Sequence, residues 1–246
     1  MKGRRTIGRK IEHFAVVDST NDIAKKLAKD GACEGTVVTA DMQEGGRGRF
    51  GRNWSSPSGG IWLSVILRPD IDSERAPLSL LPLIAGSAVA NVLKGLYGIN
   101  AHVRWPNDVL IDEKKVSGIL TEIDTDENFV VVGIGINANI DLNALPAEVG
   151  KTATTLKAEL KREVSKTALL NRLFSELDDM YTRFNTGSAI INCSTIKKRV
   201  KVVTKEQELV GIAKEIDETG ALILYLEDGS TERIISGDCI HLSAGA

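Results

Sequence analysis

Gly45-Gly46-Arg47-Gly48-Arg49-Phe50-Gly51-Arg52 lies between two apolar runs, residues 36–42 and 61–67. Both runs are rich in valine, isoleucine, leucine and threonine and read as strands. The stretch between them, residues 45–60, holds six glycines and Pro57 and cannot be regular structure. Glycine lets a backbone approach a ligand closely and adopt positive φ, while weakening order in the free chain. Arginine supplies a planar fork that grips carboxylate or phosphate through two hydrogen bonds. Arginines alternating with glycines between two strands therefore describe a flap that closes over a polyanion. The competing reading is an Arg-Gly nucleic-acid tract, but such tracts are usually longer and repetitive, and this one sits inside a globular domain. The segment is neither a P-loop nor the Gly-x-Gly-x-x-Gly dinucleotide turn.

Outward from the flap, residues 11–17 read as a strand. Asp18-Ser19-Thr20-Asn21-Asp22 follows as a turn rich in N-cap residues, then an amphipathic helix over residues 23–28 that Gly31 can close. Ser19 with Asp22 resembles a capping box. Residues 76–93 carry no charge. A bilayer helix needs about 20 mostly apolar residues, and Pro77, Pro82, Ser79, Ser87 and Asn91 favour a buried helix. Residues 102–105 and 108–111 flank a turn at Pro106-Asn107, residues 112–115 make a second turn, and residues 116–123 and 129–136 complete the strands. Residues 164–184 have helical periodicity. Strands joined by short polar turns predict an α+β fold with a mixed, largely antiparallel sheet flanked by helices. Residues 186–195 are small and uncharged, a linker. Beyond it, short strands punctuated at Glu218-Thr219-Gly220, Glu227-Asp228-Gly229 and Ser236-Gly237-Asp238 predict a small β-barrel. The expected domains are residues 1–190 and 191–246.

The chain has 246 residues, 42% of them hydrophobic, and a formal net charge of −2. Wholesale disorder is excluded, and so is a protein that grips nucleic acid with its whole surface. Cys33, Cys193 and Cys239 are odd in number and far apart, which suits a reducing compartment better than a disulfide framework. His13, His102 and His241 are scattered, so a zinc site is not expected. Residues 1–10 carry five basic residues and no apolar core of a secretory signal, and a cytoplasmic protein is expected.

Three further clusters matter. In Arg104-Trp105-Pro106-Asn107-Asp108, a carboxamide and a carboxylate emerge at a strand end where they can meet a phosphate-bound Mg²⁺ or a ribose; the plainer alternative is a core tryptophan before a turn. Lys114-Lys115-Val116-Ser117-Gly118-Ile119-Leu120 offers Lys115 as a point charge for phosphate, or merely a soluble hairpin tip. In Gly133-Ile134-Gly135-Ile136-Asn137, two glycines in an apolar strand mark close backbone approach to a ligand, or a tight contact with a neighbouring strand or helix.

The ordered series Ser-Thr-Asn, Gln-x-x-Gly-Arg-Gly-Arg-x-Gly-Arg, Trp-Pro-Asn-Asp, Lys-x-x-Gly-Ile-Leu and Gly-Ile-Gly-Ile-Asn closely resembles the biotin protein ligases, over about residues 11–242. The resemblance implies a class II synthetase-like catalytic domain with a C-terminal SH3-like β domain. It implies that biotin and ATP form biotinyl-5′-AMP and pyrophosphate, and that biotin then passes to one lysine of a biotin carboxyl carrier domain. Ser19, Thr20, Asn21 and Gln43 would recognise the ureido head of biotin. Gly46, Arg47, Gly48 and Arg49 would close over its carboxylate and the α-phosphate, and Lys115 would touch both. Arg49, Arg52, Trp54, Asn107, Lys115 and Asn137 would face ATP, and Asp108 would hold Mg²⁺ indirectly. Arg47, Arg49 and Lys115 are the residues expected to carry catalysis, by charge and position. The resemblance also implies a homodimer through the central sheet. Arg104 stands where the family commonly has lysine. Only 18 residues precede Ser19, too few for the DNA-binding domain of regulatory members, so a ligase without DNA or membrane partners is expected. The alternatives are a lipoate or octanoate ligase of the same fold and, in a different class, a nucleic-acid-binding protein using the Arg-Gly loop.

Overall fold

The structure, a computed structural model, describes residues 6–70, 76–191 and 193–242; the first five residues of the basic N-terminal stretch lie outside them. In chain order the elements are β1 (Ile11–Val17), α1 (Thr20–Lys29), β2 (Val37–Gln43), β3 (Ile61–Leu67), α2 (Leu81–Tyr97), β4 (His102–Arg104), β5 (Asp108–Ile111), β6 (Lys114–Asp124) and β7 (Phe129–Ile136). Then come α3 (Ala147–Thr152), α4 (Leu156–Leu160), α5 (Lys166–Asn185), β8 (Arg199–Val203), β9 (Glu208–Ile216), β10 (Leu222–Leu226), β11 (Thr231–Ile234) and β12 (Asp238–His241).

The first seven strands form one sheet in the order β1-β2-β3-β7-β6-β5-β4. Only β1 and β2 run parallel; every other neighbouring pair is antiparallel. The fold is thus the mixed, largely antiparallel α+β architecture that the turns predict. β3 is buried along its whole length, as a central strand covered on both faces must be. One face packs on α2 and α5, with Leu63, Val65, Val132 and Ile134 meeting Ile84, Ala88, Leu173 and Phe174. The other packs on α1 through Ile66, Phe129, Val131, Ala24 and Ala28. The charge-free segment becomes most of α2, whose one charge, Lys94, stands in its last turn: 11 of its 17 residues are buried, so it is a core helix, and it ends on Gly98 in the left-handed region.

Three local readings change. α1 starts at Thr20, three residues earlier than expected, and the capping box does not form: Ser19 is the N-cap but makes no side-chain cap hydrogen bond. The Asp22 amide donates to the Ser19 carbonyl at 3.1 Å, and the Thr20 amide, which no capping box would satisfy, donates to Gln43 Oε1, 2.8 Å away on β2. The β5–β6 turn is only Asp112-Glu113, both at positive φ, and pairing resumes with Ile111 opposite Lys114. Lys115 is therefore a strand residue rather than part of a turn. The short helices α3 and α4 carry little apolar periodicity to predict them; their connection braces the site, the Thr154 amide donating to the Lys115 carbonyl at 2.9 Å.

The last five strands form an antiparallel sheet ordered β11-β10-β9-β8-β12. Its core, with Val200, Val202, Ala213, Leu222 and Leu224, continues onto Leu83 of α2, Val103 of β4 and Trp105 just beyond β4. Trp105 is fully buried there, its Nε1 donating to the Gly220 carbonyl at 3.0 Å and its amide to Thr195 Oγ1 at 3.0 Å. Truncating a buried tryptophan of this kind costs about 3–5 kcal/mol, so Trp105 pins the two sheets together. The linker expected at residues 186–195 is not a free tether at its end, since Thr195 is buried and Cys193 bridges to Val103.

Candidate active site

The floor of the site follows from strand alternation. Successive side chains of β7 point to opposite faces, so Phe129, Val131, Gly133 and Gly135 share one face. Phe129 and Val131 support α1, and beyond them the face becomes bare. Gly133 lies opposite Ser64 of β3, and Gly135 lies opposite Gly118 of β6. What occupies the bare patch is protein. A Cβ at Gly133 would lie 3.0 Å from Asn21 Cγ and closer still to its Oδ1, and one at Gly135 would lie 2.5 Å from Trp54 Nε1. One at Gly118 would lie 2.9 Å from the same indole. These glycines make room for Asn21 and Trp54, which in turn line a cavity of about 430 Å³, a size that suits a small-molecule site.

One end of the cavity is a neutral polar set. Gln43 Oε1 accepts from Thr20 Oγ1 at 3.0 Å as well as from the Thr20 amide, and Gln43 Nε2 donates to Ser56 Oγ at 2.8 Å. Ser64 Oγ lies 2.7 Å from Thr20 Oγ1 and 2.6 Å from Asn21 Oδ1, and Asn21 Nδ2 donates to Glu122 Oε2 at 2.6 Å. These bonds orient each group without exhausting it. Gln43 Nε2 keeps a second N–H, the Ser19 hydroxyl is not consumed by capping, and Thr20 Oγ1 and Asn21 Oδ1 each keep acceptor capacity. Donors and acceptors thus converge on the same small space.

The other end is cationic. Five cations line the cavity: Arg47, Arg49, Arg52, Arg104 and Lys115. Three carboxylates pair with four of them. Asp22 receives the Arg47 fork at 2.5 and 2.8 Å, Asp238 receives Arg52, and Asp108 receives Arg104 and Lys115, each at 2.6 Å. Five minus three leaves a net charge of +2. Burial raises the Asp108 pKa, but Lys115 and Arg104 outweigh it and hold the carboxylate below its ordinary value. The hydrogen bonds from Arg47 likewise lower Asp22 against the opposing effect of burial. Arg49 forms no ion pair among the described residues. Its guanidinium donates to Ser236 Oγ at 2.8 Å and the Gly237 carbonyl at 3.0 Å and stacks on Phe50 at 4.7 Å, and burial lowers its pKa. A half-buried cation held only by neutral groups is the strongest attractor here for an incoming anion. Lys115 Nζ also lies 4.9 Å from the Trp54 ring centre.

Ser19, Thr20, Asn21, Gln43, Arg47, Gly48, Arg49, Arg52, Trp54, Asn107, Asp108 and Lys115, expected from sequence, are brought to one cavity. Two expected residues are not on its wall. Gly46 lies where the arms of the flap cross, a Cβ there falling 2.5 Å from the Trp54 carbonyl. Asn137 is buried, its Nδ2 donating to the Thr154 carbonyl at 3.0 Å and the Lys115 carbonyl at 3.4 Å, so it braces Lys115 from behind. Asp108 does not fit as a direct Mg²⁺ ligand. Both its oxygens are engaged by cations, and among the described residues no three His, Cys, Asp or Glu side chains gather as a metal cage requires. Sequence reading passed over Asp22, Ser56, Ser64, Glu122, Ser236 and Asp238. Asp238 carried only a turn signal, and nothing local connects it to Arg52.

Residues 13–139 match the Biotin/lipoate A/B protein ligase family, and residues 195–242 match the Biotin protein ligase C terminal domain. The chain is 35% identical to the Bifunctional ligase/repressor BirA of Bacillus subtilis, over 94% of this chain and 74% of that protein. It is 32% identical to the Biotin--[acetyl-CoA-carboxylase] ligase of Mycobacterium tuberculosis, over 95% of this chain and 90% of that one. The solved structure of biotin protein ligase from Aquifex aeolicus in complex with biotin and ATP superposes with a TM-score of 0.81 at 29% identity, covering 96% of this chain and all of the other.

Proposed function

The chain belongs to the biotin/lipoate A/B protein ligase family, and on that premise we propose how its own residues divide the work of a biotin–protein ligase. It activates biotin with ATP and transfers biotin to a lysine of a carrier domain. In the first step a biotin carboxylate oxygen attacks the α-phosphorus of ATP, an O–P bond forms, and pyrophosphate leaves. In the second the neutral lysine amine attacks the acyl carbon, an amide forms, and AMP leaves.

The observation that carries the choice of acid is the neutral polar end. A ureido ring presents one carbonyl acceptor and two N–H donors, and Ser19, Thr20, Asn21 and Gln43 keep both donors and acceptors unspent beside it. A lipoyl or octanoyl tail has nothing to satisfy them, and leaving such groups buried and unpaired costs about 1–3 kcal/mol each.

The anionic reactants meet at the cationic end. One unit charge pair at 4 Å is worth about 4 kcal/mol at an effective dielectric of 20. A net +2 anchored by Arg49 and Lys115 thus offsets the repulsion between carboxylate and triphosphate, and alignment supplies up to about 7–11 kcal/mol of the barrier. Lys115 swings from Asp108 to the α-phosphate, Arg52 takes the nucleotide side, and the Trp54 indole packs against the base. Arg104 stays on Asp108, keeping that carboxylate in place while Lys115 moves. Mg²⁺ bound with the nucleotide would supply further counter-charge to the triphosphate, with Asp108 holding Arg104 and Lys115 rather than the ion.

A cytoplasmic location fits three cysteines that are all free. A homodimer through the large sheet fits the far end of β6, residues 119–124, which lies beyond the reach of β5 and leaves Ile123 exposed. DNA and membranes are left out of the proposed partners: the clustered arginines line a cavity and the apolar α2 is buried. The test is ATP-dependent pyrophosphate release with biotin, lipoate and octanoate offered separately. Release with biotin alone is expected; release with either of the others reassigns the polar end.

A further inference from the structure

A chain of charged contacts, unused by the chemistry above, joins the ring end of the cavity to the flap. Glu122 of β6 accepts from Asn21 Nδ2 through Oε2 and pairs with Lys25 Nζ through Oε1 at 2.8 Å. Lys25 lies one helical turn beyond Asp22, close enough to touch it at 3.2 Å. Asp22 receives both terminal nitrogens of Arg47. The Arg47 fork is therefore turned toward α1, and its side chain fastens the entry arm of the flap. The exit arm is fastened separately, Arg49 on Ser236 and Gly237 and Arg52 on Asp238.

We propose, resting on the reading of this cavity as a biotin site, that Asp22 and Glu122 are positioning residues. Glu122 fixes the carboxamide of Asn21, Asp22 holds Arg47, and Lys25 joins the two carboxylates, so that filling the ring end and closing the entry arm are linked. With Nδ2 held by a carboxylate, the Asn21 amide cannot flip without turning its own oxygen onto that charge. Oδ1 consequently stays toward Ser64 and the ligand. When the ligand orders Asn21, Glu122 and Lys25 are ordered with it, and Asp22 is left in register for Arg47. The four side chains are 30–42% exposed. The linkage is accordingly modest, about a three- to tenfold effect rather than an all-or-none switch.

The test uses the full chain. Asp22→Asn removes the charge from an exposed helix position, so melting stays within about 1 °C of wild type while biotinyl-AMP escapes about three- to tenfold faster in a chase experiment. Glu122→Gln weakens biotin affinity by a similar factor. The decisive variant is the swap Asp22→Arg with Arg47→Asp. It retains the adenylate better than Arg47→Asp alone, which a simple loss of structure does not do. Wild-type retention in Asp22→Asn, or a swap as leaky as Arg47→Asp alone, overturns the proposal. A wild-type chain that forms no adenylate from biotin but forms one from another acid overturns the biotin reading itself and the proposal with it.

Discussion

Replacing Gly133 by alanine is expected to disable recognition of the ring end while leaving the fold standing. β7 is paired on both sides, with β3 and β6, and its backbone is buried, so it cannot retreat. A Cβ there falls 3.0 Å from Asn21 Cγ, 3.1 Å from Nδ2 and nearer still to Oδ1, where ordinary contact begins at 3.4 Å. The carboxamide must lift on the order of 1 Å, because close-packed interiors do not yield locally. That movement strains two bonds, Ser64 to Asn21 and Asn21 to Glu122, both 2.6 Å. A neutral bond contributes about 0.5–1.5 kcal/mol and one to a charged group about 1.5–3. Water in the cavity re-satisfies part of this, so about 2–3 kcal/mol is lost from ligand binding, a rise in the biotin Kd of roughly 30- to 150-fold. Titration calorimetry of biotin against wild type and Gly133→Ala reads it directly. Gly95→Ala is the control: its Cβ meets nothing within 4 Å on an exposed face of α2, and it should be neutral or slightly stabilising. A Gly133→Ala Kd within threefold of wild type would refute the account of the glycine floor.

Gly135→Ala pushes the Trp54 indole off the floor and should raise the ATP KM at least about tenfold with little change in biotin Kd; the opposite split would place Trp54 at the wrong end. Arg49→Ala should slow adenylate formation by about 10²-fold or more with a nearly unchanged melting temperature; full-rate pyrophosphate release would remove Arg49 from the chemistry. Asp108→Asn leaves Arg104 without its partner, while Lys115 can turn into the cavity, so the cost at pH 7 falls near the lower end of the range for a broken buried pair, about 3 kcal/mol. Because the Asp108 pKa is lowered in the fold from 3.8, its contribution is present at higher pH and disappears as pH falls through the folded value. The melting difference between Asp108→Asn and wild type should therefore hold from pH 7 to pH 5 and shrink below about pH 4; a difference that persists in acid would argue that packing, not charge, is responsible.

Much of this was written locally. Residues 11–17, 61–67, 108–111 and 129–136 become strands with those same bounds, because alternation, β-branching and turn residues act over a few positions. The flap and the glycines of β7 announced themselves as breaks in otherwise regular patterns. What the glycines admit was ambiguous, ligand or neighbour, and packing resolved it in favour of Asn21 and Trp54. The capping box failed locally. The Asp22 amide, which a capping side chain would accept from, donates instead to the Ser19 main-chain carbonyl at 3.1 Å, so the Ser19 hydroxyl is left out of the cap.

By itself, then, the amino-acid order determined most of the strands, the long helices and the sheet's mixed character, since each depends on residue type and short spacing, while the resemblance to a known family supplied most of the groups at the site. Tertiary structure alone decided which charges answer which. Arg52 meets Asp238 and Arg49 meets Ser236 across more than 180 residues, and Glu122 reaches Asn21. Such pairings leave no periodic trace, because a charge selects its partner by distance in space, and that distance exists only once the chain has packed: α1 on the large sheet for Glu122, and the two sheets around Trp105 for Arg49 and Arg52.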